Sequence, residues 1–264
     1  MTKILVGCDP EVFVRKNGVF QSAWGLIKGD KKNPFKVNRG AVQVDGMALE
    51  FNIDPAATEE EFSLNVQEVY NQLCKMVPEY EVVPVPVAHF TEAYMKTQPA
   101  EALELGCDPD FNAWTGKENI KPNANRPMRT ASGHVHIGWG NGFDTNDYAH
   151  VESCHSAARQ MDFFLGLPSL FYDDDVERRE MYGKSGCDRI KPYGVEYRTL
   201  SNKWLNSEKL QRWVFRSAVA GMKALMSGND LSKKHGDIQA IINNSDKKAA
   251  MNIIKAENLE LCNA

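Results

Sequence analysis

His134-Val135-His136-Ile137-Gly138-Trp139 alternates small or polar side chains with large apolar ones. Successive side chains of a strand project to opposite faces, so the two histidines share one face and Val135, Ile137 and Trp139 share the other. Three further segments repeat the pattern. In Leu49-Glu50-Phe51-Asn52-Ile53, Glu50 and Asn52 oppose the apolar residues. In Val195-Glu196-Tyr197-Arg198-Thr199, Glu196 and Arg198 sit together. Near the start, Asp9 and Glu11 oppose Val12 and Val14. The polar face of a half-buried antiparallel strand ordinarily meets water. Such faces favour Thr, Lys and Ser, whereas these four offer Asp, Glu, Asn, His and Arg. Gly7, Gly46, Gly133, Gly138 and Gly194 flank them, and glycine admits a close backbone or ligand. The four faces therefore read as one functional surface.

Convergence of Asp9, Glu11, Glu50 and Glu196 would crowd negative charges, raising their pKa values unless something positive intervenes. Arg198 offsets one charge; bound cations would offset the rest. Oxygen ligands with one or two imidazoles suit Mg²⁺ or Mn²⁺ better than Zn²⁺. Asp45, in Val44-Asp45-Gly46, reads either as a further ligand or as a turn aspartate before glycine. The His134/His136 pair also fits a metal-dependent hydrolase, or buried, hydrogen-bonded rings; no HExxH motif supports zinc. His150 and Cys154 lie one helical turn apart, with no second pair to complete a metal site.

The 264 residues fit one large domain or two small ones. Hydrophobic content of 42% and charged content of 25% permit a sizeable core. A net charge of -4 argues against general nucleic-acid binding, though not against local basic loops. No apolar run is long enough to cross a bilayer. The first residues lack the shape of a signal peptide, so the six cysteines read as reduced cytosolic thiols.

A capping box at Thr58 and Glu61 opens a helix carrying Phe62, Val66, Val69 and Leu73, which Pro78 ends. Val82 to Val87, interrupted by Pro84 and Pro86, reads as an edge strand or extended connection. Helices are expected from about Asp144 and from Ser207. A polar helical stretch from about 230 includes a last helix from about Ser245 to the C-terminus. Gly7-Cys8-Asp9-Pro10-Glu11 is echoed by Gly106-Cys107-Asp108-Pro109-Asp110, which is too little for a repeat protein.

Three basic loops interrupt the strands: Lys28 to Arg39, Lys117 to Arg129, and Arg178 to Lys191. Each reads as a solvated charge run or as a phosphate contact beside a carboxylate–metal cluster. Gly183-Lys184-Ser185 mimics the end of a P-loop, but Arg178 stands where its first glycine is required.

The order Gly7-Cys8-Asp9-Pro10-Glu11, then Asp45-Gly46 with Glu50 and Asn52, then Ser132-Gly133 with His134, His136 and Gly138, then Glu196-Tyr197-Arg198 resembles the phage-type COOH–NH2 ligase (amidoligase) family. That family looks like a compact relative of glutamine synthetase and glutamate–cysteine ligase. The resemblance implies one α+β catalytic domain over residues 1–264, with a curved antiparallel sheet and helices on its outer face. It implies ATP, with Mg²⁺ or Mn²⁺ held by Asp9, Glu11, Glu50, His134 and Glu196, and Asp45 as a further candidate. His136 and Asn52 would contact nucleotide or substrate, and Arg198 with Arg178 or Arg179 the phosphate. Arg129, Lys184 and Arg189, from the basic loops, are further candidates for nucleotide contacts, and Asp108 and Asp110 for the base that activates the amine.

The expected reaction joins a small-molecule or peptide carboxylate to an amine through an acyl phosphate. The expected setting is cytoplasmic, in the host cytoplasm if the chain is phage-encoded, and compatible with an oligomer. Two rivals stand beside this reading: a metal-dependent hydrolase on His134/His136, and a non-catalytic phage accessory protein.

Overall fold

The computed structural model describes residues 3–104, 110–120 and 126–262. In chain order the strands are β1 Leu5–Cys8, β2 Glu11–Lys16, β3 Val19–Gln21, β4 Phe35–Val37, β5 Gly40–Asp45 and β6 Ala48–Ile53, then β7 Glu81–Val83 and β8 Val87–His89. They continue with β9 Phe111–Asn112, β10 Lys117–Glu118, β11 Met128–Thr130, β12 Val135–Gly138, β13 Cys187–Lys191 and β14 Gly194–Tyr197. The helices are α1 Glu59–Met76, α2 Glu92–Met95, α3 Ala100–Leu103, α4 Tyr148–Met161, α5 Leu167–Ser169, α6 Glu177–Met181, α7 Glu208–Met226, α8 Leu231–His235, α9 Gln239–Asn243 and α10 Lys247–Ala256.

All the strand pairs are antiparallel, giving the expected α+β class. The four polar-faced strands divide between two six-stranded sheets. One runs β1-β12-β14-β13-β9-β10; the other runs β3-β2-β6-β5-β4, with β7 also paired to β2. The chain passes from one to the other at Asp9-Pro10, where Glu11 N donates to Ser132 O (2.9 Å) and Phe51 N to Pro10 O (3.2 Å). Asp9 thus lies at the junction of the two sheets.

The apolar faces meet one core. Val6, Val135, Ile137, Val195 and Tyr197 of the first sheet and Leu49, Phe51 and Ile53 of the second are buried with residues of α1, α4 and α7. Fully burying one such side chain is worth about 1.5–3 kcal/mol, so the alternation fixes which face the helices cover. The opposite face keeps its polar side chains.

Element boundaries follow local chemistry. Thr58 Oγ1 accepts from Glu61 N, and the Glu61 carboxylate accepts from Ala57 N, so the box closes one residue upstream of the cap. Asp144 forms a turn with Asn146, and Asp147 caps α4, which therefore starts at Tyr148 rather than near Asp144. Ser207 caps α7 as expected. Val82–Val87 splits at its prolines into β7 and β8, in different sheets. The C-terminal stretch forms three short helices, the last ending at Ala256, and buries Ile238, Ile242, Ala250 and Ile254 against Phe163 and Leu167. The stretch expected to be polar and helical thus also packs an apolar side against the core as a layer. The five described cysteines are free.

A buried carboxylate ties this layer to the first sheet. Asp162, fully buried in the π-turn after α4, accepts from Trp114 Nε1 (2.6 Å), Ser185 Oγ (2.6 Å), Gly186 N (3.0 Å) and Tyr197 OH (2.7 Å). Burial pushes its pKa up to about 6 against the pull of these donors. Asp162→Asn would turn an amide toward two of them, at about 1–3 kcal/mol for each donor left unpaired. We expect a urea midpoint lowered by the equivalent of about 2–4 kcal/mol at pH 7. An unshifted midpoint would show that the layer is held by other contacts.

Candidate functional site

Register brings the polar residues together. Across the first sheet Gly7 pairs His136, which pairs Glu196, which pairs Arg189. Across the second, Glu11 pairs Glu50, and Glu50 pairs Gln43. The sheets meet at Asp9, so the two rows lie side by side around it. Gly133, just before β12, is required for packing, because a Cβ there would lie 2.3 Å from Trp204 Nε1; Trp204 in turn donates to Gly133 O.

Two ligand triads result, each with donor atoms within 4.8 Å of one another: Asp9, His136 and Glu196, and Glu11, Asp45 and Glu50. In the first, Asp9 Oδ1 lies 2.9 Å from His136 Nε2 and 3.3 Å from His134 Nδ1. His136 completes the triad from the side of the second chamber, and His134 lies beside it on the cleft side, its Nδ1 3.5 Å from Glu196 Oε1. The cause is register: His136 is level with Glu196, and His134 precedes the strand. His136 Nδ1 hydrogen-bonds the Tyr193 hydroxyl.

The triads are compensated unequally. Glu196 is fully buried and ion-paired to Arg198, to Lys191 (2.8 Å) and to Arg189 (3.4 Å). Burial raises its pKa, but Arg198, the two histidines and Lys191 reverse this and hold it well below the usual carboxylate range. Asp9 is likewise raised by burial and brought below its ordinary value, chiefly by His136. The other triad receives Lys31 Nζ on Asp45 (2.9 Å), Gln43 Nε2 on Glu50 (3.0 Å) and Ser132 N on Glu11 (2.7 Å). Burial and the Asp45 charge push Glu11 up to about 7. Burial, then Asp9, Asp45 and Glu11, push Glu50 well above its ordinary value. A divalent cation would relieve that crowding, and a mostly carboxylate donor set suits Mg²⁺ or Mn²⁺. Asp9 Oδ1 and His136 Nε2, buried without an aligned hydrogen bond, also fit a shared cation.

The cleft has a volume of ≈ 260 Å³, and Lys31, Arg129, Arg189, Lys191 and Arg198 line it. Arg198 also contacts Asp110 (3.3 Å) and lies over the Tyr182 ring at 5.9 Å. Asp9 and Glu50 are shared with a second, more apolar chamber of ≈ 550 Å³, lined by Asn52, His136, Gly138 and Tyr193 among others. Asp45 is ion-paired at the cleft, more than a turn aspartate requires.

Three expected residues lie elsewhere. Arg178 is buried and donates to Thr199 O, Arg198 O and Ser132 Oγ, bracing the backbone behind the cleft. Arg179 is bonded to Ser245 Oγ and paired with Asp173. Neither lines the cleft, because the helical turn of α6 faces them inward. The Lys184 side chain is exposed, and its carbonyl accepts from Cys187 N and Thr199 Oγ1. Asp108 lies outside the described residues, with most of the second Gly-Cys-Asp-Pro motif. His150 and Cys154 are structural: His150 Nε2 bonds Lys191 O and Cys154 Sγ bonds Gly194 O. Gln43 and Tyr193 were missed. Gln43 and Asp45, two apart in Gly40–Asp45, carried a readable same-face signal; Tyr193, in a turn, carried none.

An antiparallel α+β fold with a carboxylate-walled, cation-lined cleft defines the class. The model of the family described as phage phiEco32-like COOH·NH2 ligase-type 2 matches residues 126–262, just over half of the chain, and the chain belongs to that family. No curated protein matches it. Among solved structures, it is similar to a bifunctional glutathione synthetase from Pasteurella multocida at 12% identity and a TM-score of 0.46, over 97% of this chain and 45% of that one.

If the carboxylate triad holds a metal, Glu50→Gln should weaken Mn²⁺ affinity by more than the roughly 10–100-fold that outer-sphere partners are worth. Electron paramagnetic resonance titration of free Mn²⁺ measures this. Equal affinity in a folded variant would take the ion out of the triad.

Proposed function

We propose that the protein is an ATP-dependent carboxylate–amine ligase that forms an amide through an acyl phosphate. One observation carries the reading: an under-compensated carboxylate triad, whose Glu50 also lines a second chamber, shares one cleft with five basic side chains. Phosphoryl transfer needs that combination, since metals bridge the phosphates while cationic side chains stabilise the transferred group. Family membership supports the ligase class.

In the proposed reaction a carboxylate oxygen of the substrate bonds to the γ-phosphorus as the bond to the β-phosphate breaks, releasing ADP. The amine nitrogen then bonds to the acyl carbon, and the carbon–oxygen bond to phosphate breaks, releasing inorganic phosphate. Mg²⁺ or Mn²⁺ held by Asp9, His136 and Glu196 and by Glu11, Asp45 and Glu50 would supply charge neutralisation and orientation. Arg198, braced by Glu196 and Asp110, would stabilise the transferring group, and Arg189, Lys191 and Lys31, which line the same cleft, would hold phosphate oxygens. Asp110 is the described candidate to take a proton from the amine. The substrates are a small-molecule or peptide carboxylate and an amine. A predominantly carboxylate donor set, with one imidazole per triad at most, disfavours a zinc hydrolase on His134 and His136. Among the described residues no helix is long and apolar enough to cross a membrane.

Calorimetry should detect ATP binding only with Mg²⁺ or Mn²⁺, and Glu50→Ala should abolish it. Absence of binding with either metal would end the ligase reading. Once a carboxylate–amine pair that releases ADP is found, Arg198→Lys should lower kcat by roughly 10³–10⁵, the range of arginine contacts to a transferring phosphoryl group. Lysine keeps a charge beside buried Glu196, so circular dichroism should be unchanged. A tenfold loss or less would move the role to Arg189 or Lys191.

A further inference from the structure

A pocket of ≈ 410 Å³ lies apart from the two chambers, between α4, β9 and β13. Phe111, Val151 and Ile190 give it apolar walls, and His155 and Arg189 basic ones. The rest of its lining is uncharged, and no carboxylate lines it among the described residues. The chain as a whole carries a net charge of -4, so a pocket whose only ionisable walls are basic is selective for anions. Its apolar walls call for an apolar body on the same molecule, which the convergent polar groups would orient.

The imidazole is held in place. Val151 and His155 stand one turn apart on a single face of α4. His155 is 4% exposed, and its Nδ1 lies 2.9 Å from Oδ2 of the fully buried Asp188 on β13. The Phe111 ring meets the imidazole at a T-shaped angle, 6.4 Å between centroids. The ion pair ties α4 to the sheet and accounts for Nδ1. Nε2 has no hydrogen-bond partner among the described residues. A nearly buried ring nitrogen calls for one, and the pocket is where a ligand would supply it. A ligand carboxylate at Nε2, with Asp188 at Nδ1, would favour the doubly protonated ring.

Among the described residues Arg189 alone lines both this pocket and the cleft. On the cleft side it pairs with Glu196 at 3.4 Å, a longer contact than Lys191 or Arg198 makes with the same carboxylate. Of the three it is the partner whose loss costs Glu196 least. A carboxylate in the pocket would compete with Glu196 for the guanidinium. Drawing Arg189 away removes positive charge from the triad of Asp9, His136 and Glu196 and leaves more of the Glu196 charge for a cation.

We infer that this pocket is an effector site for a small carboxylate with an apolar body, and that its occupancy is passed to the triad through Arg189. The site does not depend on the ligase reading; the coupling rests on the triad's holding a cation.

Calorimetry with benzoate, benzylamine and benzyl alcohol, which share a ring and differ in charge, tests the site. Benzoate should bind, and the other two at least about 10-fold more weakly, the scale of a hydrogen bond to a charged group. His155→Gln, whose amide can still donate to Asp188, should weaken benzoate about 10-fold. Val151→Trp fills the pocket and should abolish benzoate binding, with Mn²⁺ affinity in the absence of benzoate unchanged. Saturating benzoate should strengthen Mn²⁺ binding about 5-fold or more, read by electron paramagnetic resonance, and Mn²⁺ should strengthen benzoate by the same factor. No benzoate binding, or equal binding of all three probes, would overturn the site. So would a Val151→Trp protein that binds benzoate as the wild type does, since the probe would then be seated in the basic cleft. Benzoate binding with Mn²⁺ affinity unmoved would remove the coupling through Arg189. A protein that binds benzoate but no Mn²⁺ would overturn the metal reading of the triad, a result distinct from loss of the pocket.

Discussion

The mutual repulsion of buried carboxylates is the constraint on which the rest depends. Two unit charges 4 Å apart at an effective dielectric constant near 20 interact by about 4 kcal/mol, and this protein gathers Asp9, Glu11, Asp45, Glu50 and Glu196 around one cleft. It solves the problem on one side only. Glu196 has three basic side chains and Asp9 two imidazoles. Glu11 and Glu50 have neutral donors, and Asp45 one half-exposed lysine. That imbalance separates this site from an ordinary surface charge network, where each acid finds a base.

Holding such a cluster requires a scaffold that does not relax away from it. The apolar faces of both sheets are committed to one helical layer, so neither can rotate to expose its acids. Arg178 ties three backbone and hydroxyl oxygens behind the cleft. Asp162 gathers donors from Trp114, Ser185, Gly186 and Tyr197. The arginines of α6 therefore serve stability where sequence reasoning gave them phosphate. A charge run reveals its sign but not the direction in which a helical turn points it.

Much of the site was legible because period-two alternation assigns a face before any tertiary contact is known. Glu50, Asn52 and His136 fell on the face that lines the two chambers, Glu196 fell on the same face but beneath its surface, paired with His136, and Asp9 and Glu11 fell beside them. Alternation does not give register, which is what sets His136 level with Glu196. Nor does it reach residues whose role comes from loops. Lys31 reaches Asp45 from the β3–β4 connection, and Tyr193 reaches His136 from a hairpin turn. The burial of the C-terminal layer was not legible because its apolar residues are spread over three short helices, which blurs the helical period.

The site is also divided along the chain. The segment that matches the family, residues 126–262, holds His134, His136, Glu196 and Arg198, while Asp9 and all three acids of the carboxylate triad precede it. Near the site the two sets are joined by Asp9 N to His134 O, Glu11 N to Ser132 O and the pairing of β1 with β12. Asp9 belongs to both chambers and stands at the point where the chain changes sheets. The carboxylate triad lies wholly in the earlier segment, whereas the other triad takes Asp9 from the earlier segment and His136 and Glu196 from the later one, so that triad exists only where the segments meet at the Asp9-Pro10 junction.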